Sequence, residues 1–146
     1  MSGGFSFFEH TADAGLNVRG STLKEIFEYS ALGMCSLIFN PEKISDLTRV
    51  KIEAYGENTE DLLFQWLKEI LYRINTTGIL FSSFRIKKNI FSGSKSDKYY
   101  ICADAYGELL DVERHDVCME IKAVTRHLFK LERGKQDWKA TIIFDI

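Results

Sequence analysis

The chain has 146 residues, of which 45% are hydrophobic and 27% are charged, and its formal net charge is -2 at pH 7. This composition is typical of one soluble globular domain with room for a core, and it argues against disorder. No basic stripe favours strong direct binding to nucleic acid. No stretch approaches the roughly 20 apolar residues that a membrane-spanning helix needs. We therefore predict a single domain over residues 1–146, without membrane contact.

The cysteines and the N-terminal residues indicate a reducing compartment. Cys35, Cys102 and Cys118 are odd in number and far apart, and no C-x-x-C pair occurs. This pattern predicts neither a structural zinc site nor a disulfide framework. The N-terminus has no basic segment followed by a long apolar run, so secretion is not expected. We expect a cytoplasmic protein, or a nucleocytoplasmic one if the source is a eukaryote.

The first part of the chain predicts two strands and a helix. The strands are expected at about residues 5–8 and 15–19. Thr22 and Glu25 have the spacing of a capping box, in which each side chain accepts a hydrogen bond from the other residue's backbone N–H. The helix that follows should end before Pro41, because the residue preceding a proline is pushed out of the helical region.

A second, longer helix is the clearest element of the sequence. It follows a strand predicted at residues 49–54, should begin after Asn58 and should end at Gly78. Its apolar residues recur at helical spacing and form one continuous stripe. They are Leu62, Leu63, Trp66, Leu67, Ile70, Leu71 and Ile74.

The remainder of the chain predicts antiparallel hairpins. Strands at about residues 79–91 and 98–106 flank the polar loop 92–97, and strands at 118–131 and 138–146 flank a second polar turn. Strands and two main helices together predict an α+β single-domain sandwich, with a mixed or antiparallel sheet and the helices on one face of that sheet.

The last two residues are the most informative feature of the sequence. Asp145 brings a side-chain carboxylate, and a chain ending at Ile146 brings its α-carboxylate beside it. Divalent cations such as Ca²⁺ prefer such hard oxygen ligands. Asp13, at the end of a turn predicted over residues 10–13, could complete the site if the first and last strands lie close together. Asp13 is equally typical of an ordinary turn residue.

The other polar residues match no catalytic signature. The sequence has no P-loop, no G-x-S-x-G and no H-E-x-x-H motif. Nothing pairs any of its three histidines, His10, His115 and His127, with a cysteine. Lys122 is a single charge on a predicted strand, where a solvated face is the ordinary interpretation. Residues 114–116 form either a small polar cluster or a surface turn.

An ordered set of motifs resembles the archease family over nearly the whole chain. Ala14, Arg126 and the polar segment 92–97 depart from the family's usual residues, but none of them touches the acidic positions. The matching motifs are Phe8-Glu9-His10-Thr11-Ala12-Asp13 with Gly15, Leu23-x-x-x-Phe27, Ala31-Leu32-Gly33, Glu60-Asp61-Leu62-Leu63-x-x-Trp66-Leu67-x-Glu69-Ile70-Leu71-Tyr72, Gly107-Glu108-x-x-Asp111-x-x-x-His115, Glu120-Ile121-Lys122-Ala123-Val124-Thr125-x-His127 and Asp145-Ile146.

The resemblance implies an activator and not an enzyme. Archeases are protein cofactors of the RtcB-type RNA ligase of tRNA splicing, and they promote guanylylation of the ligase and its multiple turnover. The resemblance implies a divalent-metal site (Ca, Mg or Mn) formed by Asp13, Asp145 and the terminal carboxylate of Ile146. It also implies a functional role for Lys122. His10 is retained as a neighbour that could orient a metal ligand.

Two other classes of function remain open from the sequence. One is a metal-dependent hydrolase in which Asp13 and Asp145 activate water, and such an enzyme would act on nucleotides or RNA without a partner. The other is a general chaperone or oligomerisation module, which would suppress aggregation of unrelated proteins independently of both aspartates.

Overall fold

Seven strands and two long helices make up residues 3–10, 13–90 and 99–146, which are the part of the chain that the computed structural model describes. A short 3₁₀ turn at Pro41–Lys43 follows the first helix. The elements are β1 Gly4–His10, β2 Asp13–Gly20, α1 Leu23–Ile38, β3 Thr48–Gly56, α2 Thr59–Thr77, β4 Ile79–Ile90, β5 Tyr99–Leu109, β6 Ala123–Arg133 and β7 Trp138–Asp145.

The strands form two antiparallel sheets that both pack against the helices. One sheet has the order β1-β2-β7-β6 and the other has the order β3-β5-β4. Helix α1 contacts β2 and β4, and α2 contacts β3 and β6, so each helix touches both sheets. The predicted α+β class with two helices and antiparallel strands is confirmed. The strands do not form one sheet with the helices on one face, however: they form two sheets, and each helix packs against both.

Helix α1 begins at the predicted cap, with one difference in its hydrogen bonds. The Thr22 hydroxyl accepts a hydrogen bond from the Glu25 backbone N–H at 3.2 Å. The Glu25 carboxylate accepts from the Ser21 hydroxyl at 2.5 Å and from the Ser21 backbone N–H at 2.8 Å. These bonds lower the pKa of Glu25. The return bond of the capping box therefore reaches one residue further back than predicted.

Helix α2 begins and ends where the sequence predicts, and its apolar residues pack in the core. The Asn58 side chain accepts from the Asp61 backbone N–H at 2.8 Å, and Gly78 closes the helix in a left-handed conformation with φ 75°. Trp66 is fully buried, and its indole N–H donates to the Phe27 backbone carbonyl of α1 at 3.0 Å. The predicted apolar stripe of α2 is thus buried where this helix packs against α1 and against both sheets. Across the described ranges, neither helix is long and apolar enough to cross a membrane.

The last hairpin begins later than predicted. Strand β6 starts at Ala123 and not at residue 118. The preceding segment is held elsewhere, because Val117 bridges to Phe39 and the Cys118 N–H donates to the Ile38 carbonyl at 2.7 Å. Lys122 therefore lies just before the strand and not on it. The predicted loop 92–97 lies outside the described residues.

Candidate functional site

Asp13 and Asp145 face each other across neighbouring strands. They are direct partners in the antiparallel register of β2 and β7. Directly opposite residues in such a pair have Cβ atoms about 4.5–5.5 Å apart and point to the same face of the sheet. The next residues, Ala14 and Phe144, are also partners and are buried in the core. Since side chains alternate along a strand, the two aspartates point away from the core, toward the outer face of the sheet.

The backbone at this end of the sheet is anchored on both sides of Asp145. Ala123 is the β6 partner of Asp145, and the Lys122 N–H donates to the Asp145 carbonyl at 2.7 Å. Asp145 is exposed, Asp13 is half-buried, and Ile146 retains 38% exposure. The strand pairing thus fixes the position of the two carboxylates while leaving them accessible from solvent.

The charges of the pair favour a bound cation. Like charges directly opposite each other on a sheet are destabilising, so a cation between the two carboxylates removes a repulsion as well as adding attraction. Within the described residues, no group of three or more His, Cys, Asp or Glu side chains could hold a metal ion. The site therefore offers two side-chain carboxylates. Any further oxygen ligand would come from the backbone, the Ile146 carboxylate, water or another molecule.

His10 is brought next to the acidic pair through its backbone. It is the β1 partner of Asp13, so the three residues His10, Asp13 and Asp145 occupy consecutive positions across three strands. The predicted turn over residues 10–13 includes Thr11 and Ala12, which lie outside the described residues. The structure thus places the His10 backbone beside the acidic pair along the sheet.

Lys122 lines a shallow groove beside α2. The groove lies between α2 and the start of β6, and Lys68, Tyr72 and Asn75 also line it. The Asn75 amide donates to the Ile121 carbonyl at 3.3 Å, which ties the segment before β6 to the helix. The structure therefore bonds the Lys122 backbone to Asp145 and places Lys122 at the edge of a groove that neither aspartate lines.

The sequence did not predict the buried polar cluster formed by Glu108, Arg114 and His115. Glu108 and His115 are 4% exposed, and the Glu108 carboxylate accepts from the Ser45 backbone N–H at 2.5 Å and from Arg114. The Ser45 and Arg114 bonds lower the pKa of Glu108. His115 Nδ1 accepts from the Asp111 N–H at 2.8 Å, and His115 Nε2 lies 3.5 Å from Glu108. Both interpretations of residues 114–116 hold in part: Arg114 and His115 belong to the polar cluster and also close a turn through their N–H bonds to the Asp111 carbonyl, whereas Asp116 is exposed and pairs with Lys43.

The two sheets, the helices between them and the outward-facing carboxylate pair define a small α+β domain with a candidate divalent-cation site. Residues 5–146 match the sequence profile of the Archease protein family (MTH1598/TM1083). The chain belongs to this family.

Relatives of known name agree with this assignment. The chain is 39% identical over 140 residues to protein archease of Pyrococcus furiosus, covering 95% of this chain and 96% of the relative. It is 37% identical over 142 residues to protein archease of Methanosarcina acetivorans, covering 97% and 95%.

Solved structures share the fold. The solution structure of Methanobacterium thermoautotrophicum protein 1598 is 31% identical, with a TM-score of 0.82 over 98% of this chain and 99% of the other. The crystal structure of an archease from Thermotoga maritima, described as a possible chaperone, gives a TM-score of 0.62 at 23% identity over 95% and 94%. At that identity the second likeness shows the fold alone.

Proposed function

We propose that the chain binds a divalent cation between Asp13 and Asp145 and acts as an activator of an RtcB-type RNA ligase, promoting guanylylation and multiple turnover of the ligase. One observation carries the cation site: the two aspartates are direct cross-strand partners on the solvent side of the sheet. The partner and its reaction come from family membership.

The donor set fits Ca²⁺, Mg²⁺ or Mn²⁺. These hard cations take carboxylate and carbonyl oxygens, and Mg²⁺ in particular keeps several waters or substrate phosphate oxygens as ligands. Two side-chain carboxylates leave most coordination positions open. An open site on an exposed sheet end suits a protein that acts on a partner, because the partner or its nucleotide can supply the remaining ligands.

The roles of the residues follow from their positions. Asp13 and Asp145 hold the cation from neighbouring strands, and the Ile146 carboxylate is proposed as a third ligand. The bound cation would supply positive charge for arranging phosphate oxygens in the ligase's nucleotide pocket. Lys122 would present its ammonium group from the adjacent groove to the same anionic partner.

The direct test is guanylylation of the ligase with labelled GTP, with and without this protein. Wild type should accelerate labelling, and Asp145→Ala should not. Lys122→Ala should bind the cation normally but activate less. Asp116→Ala is the matched control, because Asp116 is an exposed carboxylate outside the acidic pair. Its Oδ2 lies 3.3 Å from Lys43 Nζ. Equal acceleration by Asp145→Ala and wild type would contradict the proposal.

The same assay separates the enzymatic alternative. An activator should release no product from nucleotides or RNA when the ligase is absent. Hydrolysis by the purified protein, lost in Asp13→Ala, would instead favour the metal-dependent hydrolase.

A chaperone-like role is the second candidate, and a surface feature favours it. Leu47, Leu109 and Val112 are 76%, 63% and 81% exposed and line one shallow groove around the end of β5. Exposed apolar patches often mark contacts with other proteins. Suppression of aggregation of an unrelated protein, unchanged in Asp145→Ala but lost in Val112→Ser, would support this candidate.

A further inference from the structure

A second row of residues lies directly beside the acidic pair on the outer face. Phe8, Gly15, Ile143 and Thr125 are successive partners across β1, β2, β7 and β6. Gly15 and Ile143 are two residues from Asp13 and Asp145 along their strands, a separation of about 6.6–6.8 Å on the same face. The two rows are therefore immediate neighbours.

The Phe8 ring occupies the space that a side chain at Gly15 would need. A Cβ atom built on Gly15 would lie 2.3 Å from two carbon atoms of the ring and 2.6 Å from a third. The ring thus extends from β1 over the backbone of β2, toward the strand that carries Ile143. Only glycine at this position allows that placement.

Ile143 is buried on the side of the sheet that faces away from the core. It is 0% exposed, yet it is not a member of the core cluster that contains its neighbours Ile142 and Phe144. Its cover must therefore come from the outer face. The Thr125 hydroxyl donates to the Ile143 carbonyl at 2.9 Å and closes the other end of the row. The outer face thus carries a small apolar layer that stops where the acidic row begins.

We infer that this layer, with the Phe8 ring lying on Gly15, positions the aspartate pair and sets its affinity for a cation. The inference rests on the proposed cation site. The ring and Ile143 exclude water from one side of the carboxylates, which strengthens their attraction to a divalent ion. The same contacts hold β1, β2 and β7 in register, which keeps the two carboxylates opposite each other.

A purely structural role for Phe8 predicts a different result. In that case a smaller side chain would lower the melting temperature and leave cation affinity unchanged in the folded protein. Phe7 provides the matched control, because it is the neighbouring aromatic residue on the opposite face, partnered with Leu16 and 50% exposed.

The experiment is calorimetric titration with CaCl₂ at a temperature where circular dichroism shows every variant to be folded. Phe8→Ala should raise the calcium Kd about 10-fold, the lower end of the usual range for residues that support metal ligands. Phe8→Leu should restore part of the affinity, and Phe7→Ala should stay within about 2-fold of wild type. Gly15→Ala should weaken calcium binding as Phe8→Ala does, because the added methyl group displaces the Phe8 ring. If Phe8→Ala does not fold, the Gly15→Ala variant tests the inference.

The outcomes separate this inference from the proposed function. Failure of wild type to bind calcium, magnesium or manganese would overturn the cation site itself, and the inference with it. Binding by wild type together with equal affinity in folded Phe8→Ala and Gly15→Ala would overturn the positioning role alone.

Discussion

The two faces of the β2–β7 pair differ in what their side chains contribute. On the inner face, Ala14 and Phe144 are buried against the helices and contribute to stability. On the outer face, Asp13 and Asp145 are the adjacent partners in the same register, and like charges placed opposite each other do not add to stability. One pair of strands therefore holds both a conventional core and an unfavourable charge pair. The difference separates a buried pair that stabilises the fold from an accessible acidic pair that is the proposed cation site.

The largest expected effect is the loss of stability when a core residue is truncated. Trp66→Ala should lower the free energy of unfolding by about 3–5 kcal/mol, because it leaves a cavity in the core and removes the indole hydrogen bond to the Phe27 carbonyl. Urea denaturation measures this loss. Cation affinity should be unchanged at a temperature where the variant is folded, and a parallel loss of affinity would mean that the core and the acidic row are not separable.

A change at the proposed cation site should lower cation affinity and leave stability unchanged. Adding residues after Ile146 moves the proposed third ligand away and should weaken cation binding about 10-fold or more, since a direct ligand matters at least as much as its supports. The melting temperature without metal should not change. Ile146→Leu is the control and should bind normally, because the proposed ligand is a main-chain group. Unaltered affinity in the extended chain would remove Ile146 from the site.

Glu108 differs from the aspartate pair, because it is a buried carboxylate whose hydrogen bonds stabilise the fold. Its hydrogen bonds from Ser45 and Arg114 hold its pKa below the ordinary 4.5. A lowered folded pKa contributes stability that is present above about pH 4.5 and is lost as the pH falls through the folded value. Glu108→Gln should therefore be less stable than wild type at pH 7, with a difference that shrinks on acidification. Glu113→Gln, exposed on the same turn, should follow wild type in urea titrations from pH 7 to pH 3. A difference between Glu108→Gln and wild type that is independent of pH would contradict the assignment.

The smallest expected effect concerns the irregular part of β6. Leu128 has φ 56° and is 56% exposed, so its backbone is strained and its side chain buries little. Leu128→Gly should raise the free energy of unfolding by about 0.5–1 kcal/mol, because relief of the left-handed strain exceeds the added flexibility of the unfolded chain. Leu128→Ala should give no gain. A loss of stability in Leu128→Gly would show that the side chain packs more than its exposure indicates.

Local features of the fold were predictable, and long-range ones were not. Asn58, Gly78 and the stripe around Trp66 act within a few residues of one another, so the sequence identified α2 and its ends. The start of β6 was placed too early, because Val117 and Cys118 bind to the end of α1, far away in the chain. The burial of Glu108 also depends on Ser45, which is 63 residues distant.

The candidate site was partly predictable for a similar reason. The acidic residues were recognisable, but their contact depended on whether two distant strands pair, which periodicity does not determine. The consecutive apolar residues Ile142, Ile143 and Phe144 are typical of a strand covered on both faces, which the predicted sandwich with helices on one face did not include. The approach of the Phe8 ring to Gly15 could not be identified from the sequence, because it depends on the pairing of two strands and on the absence of a side chain at Gly15.

The central claim is that the cross-strand aspartates form a cation site, and calcium titration of Asp13→Ala and Asp145→Ala beside wild type tests it most directly. Each substitution should weaken calcium binding by about 100-fold or more, since loss of a ligand should exceed the cost of losing a supporting residue. Without metal, Asp145→Ala should melt at a temperature equal to or above that of wild type, because one of two directly opposed negative charges is removed. Wild-type calcium affinity in either folded variant would contradict the claim.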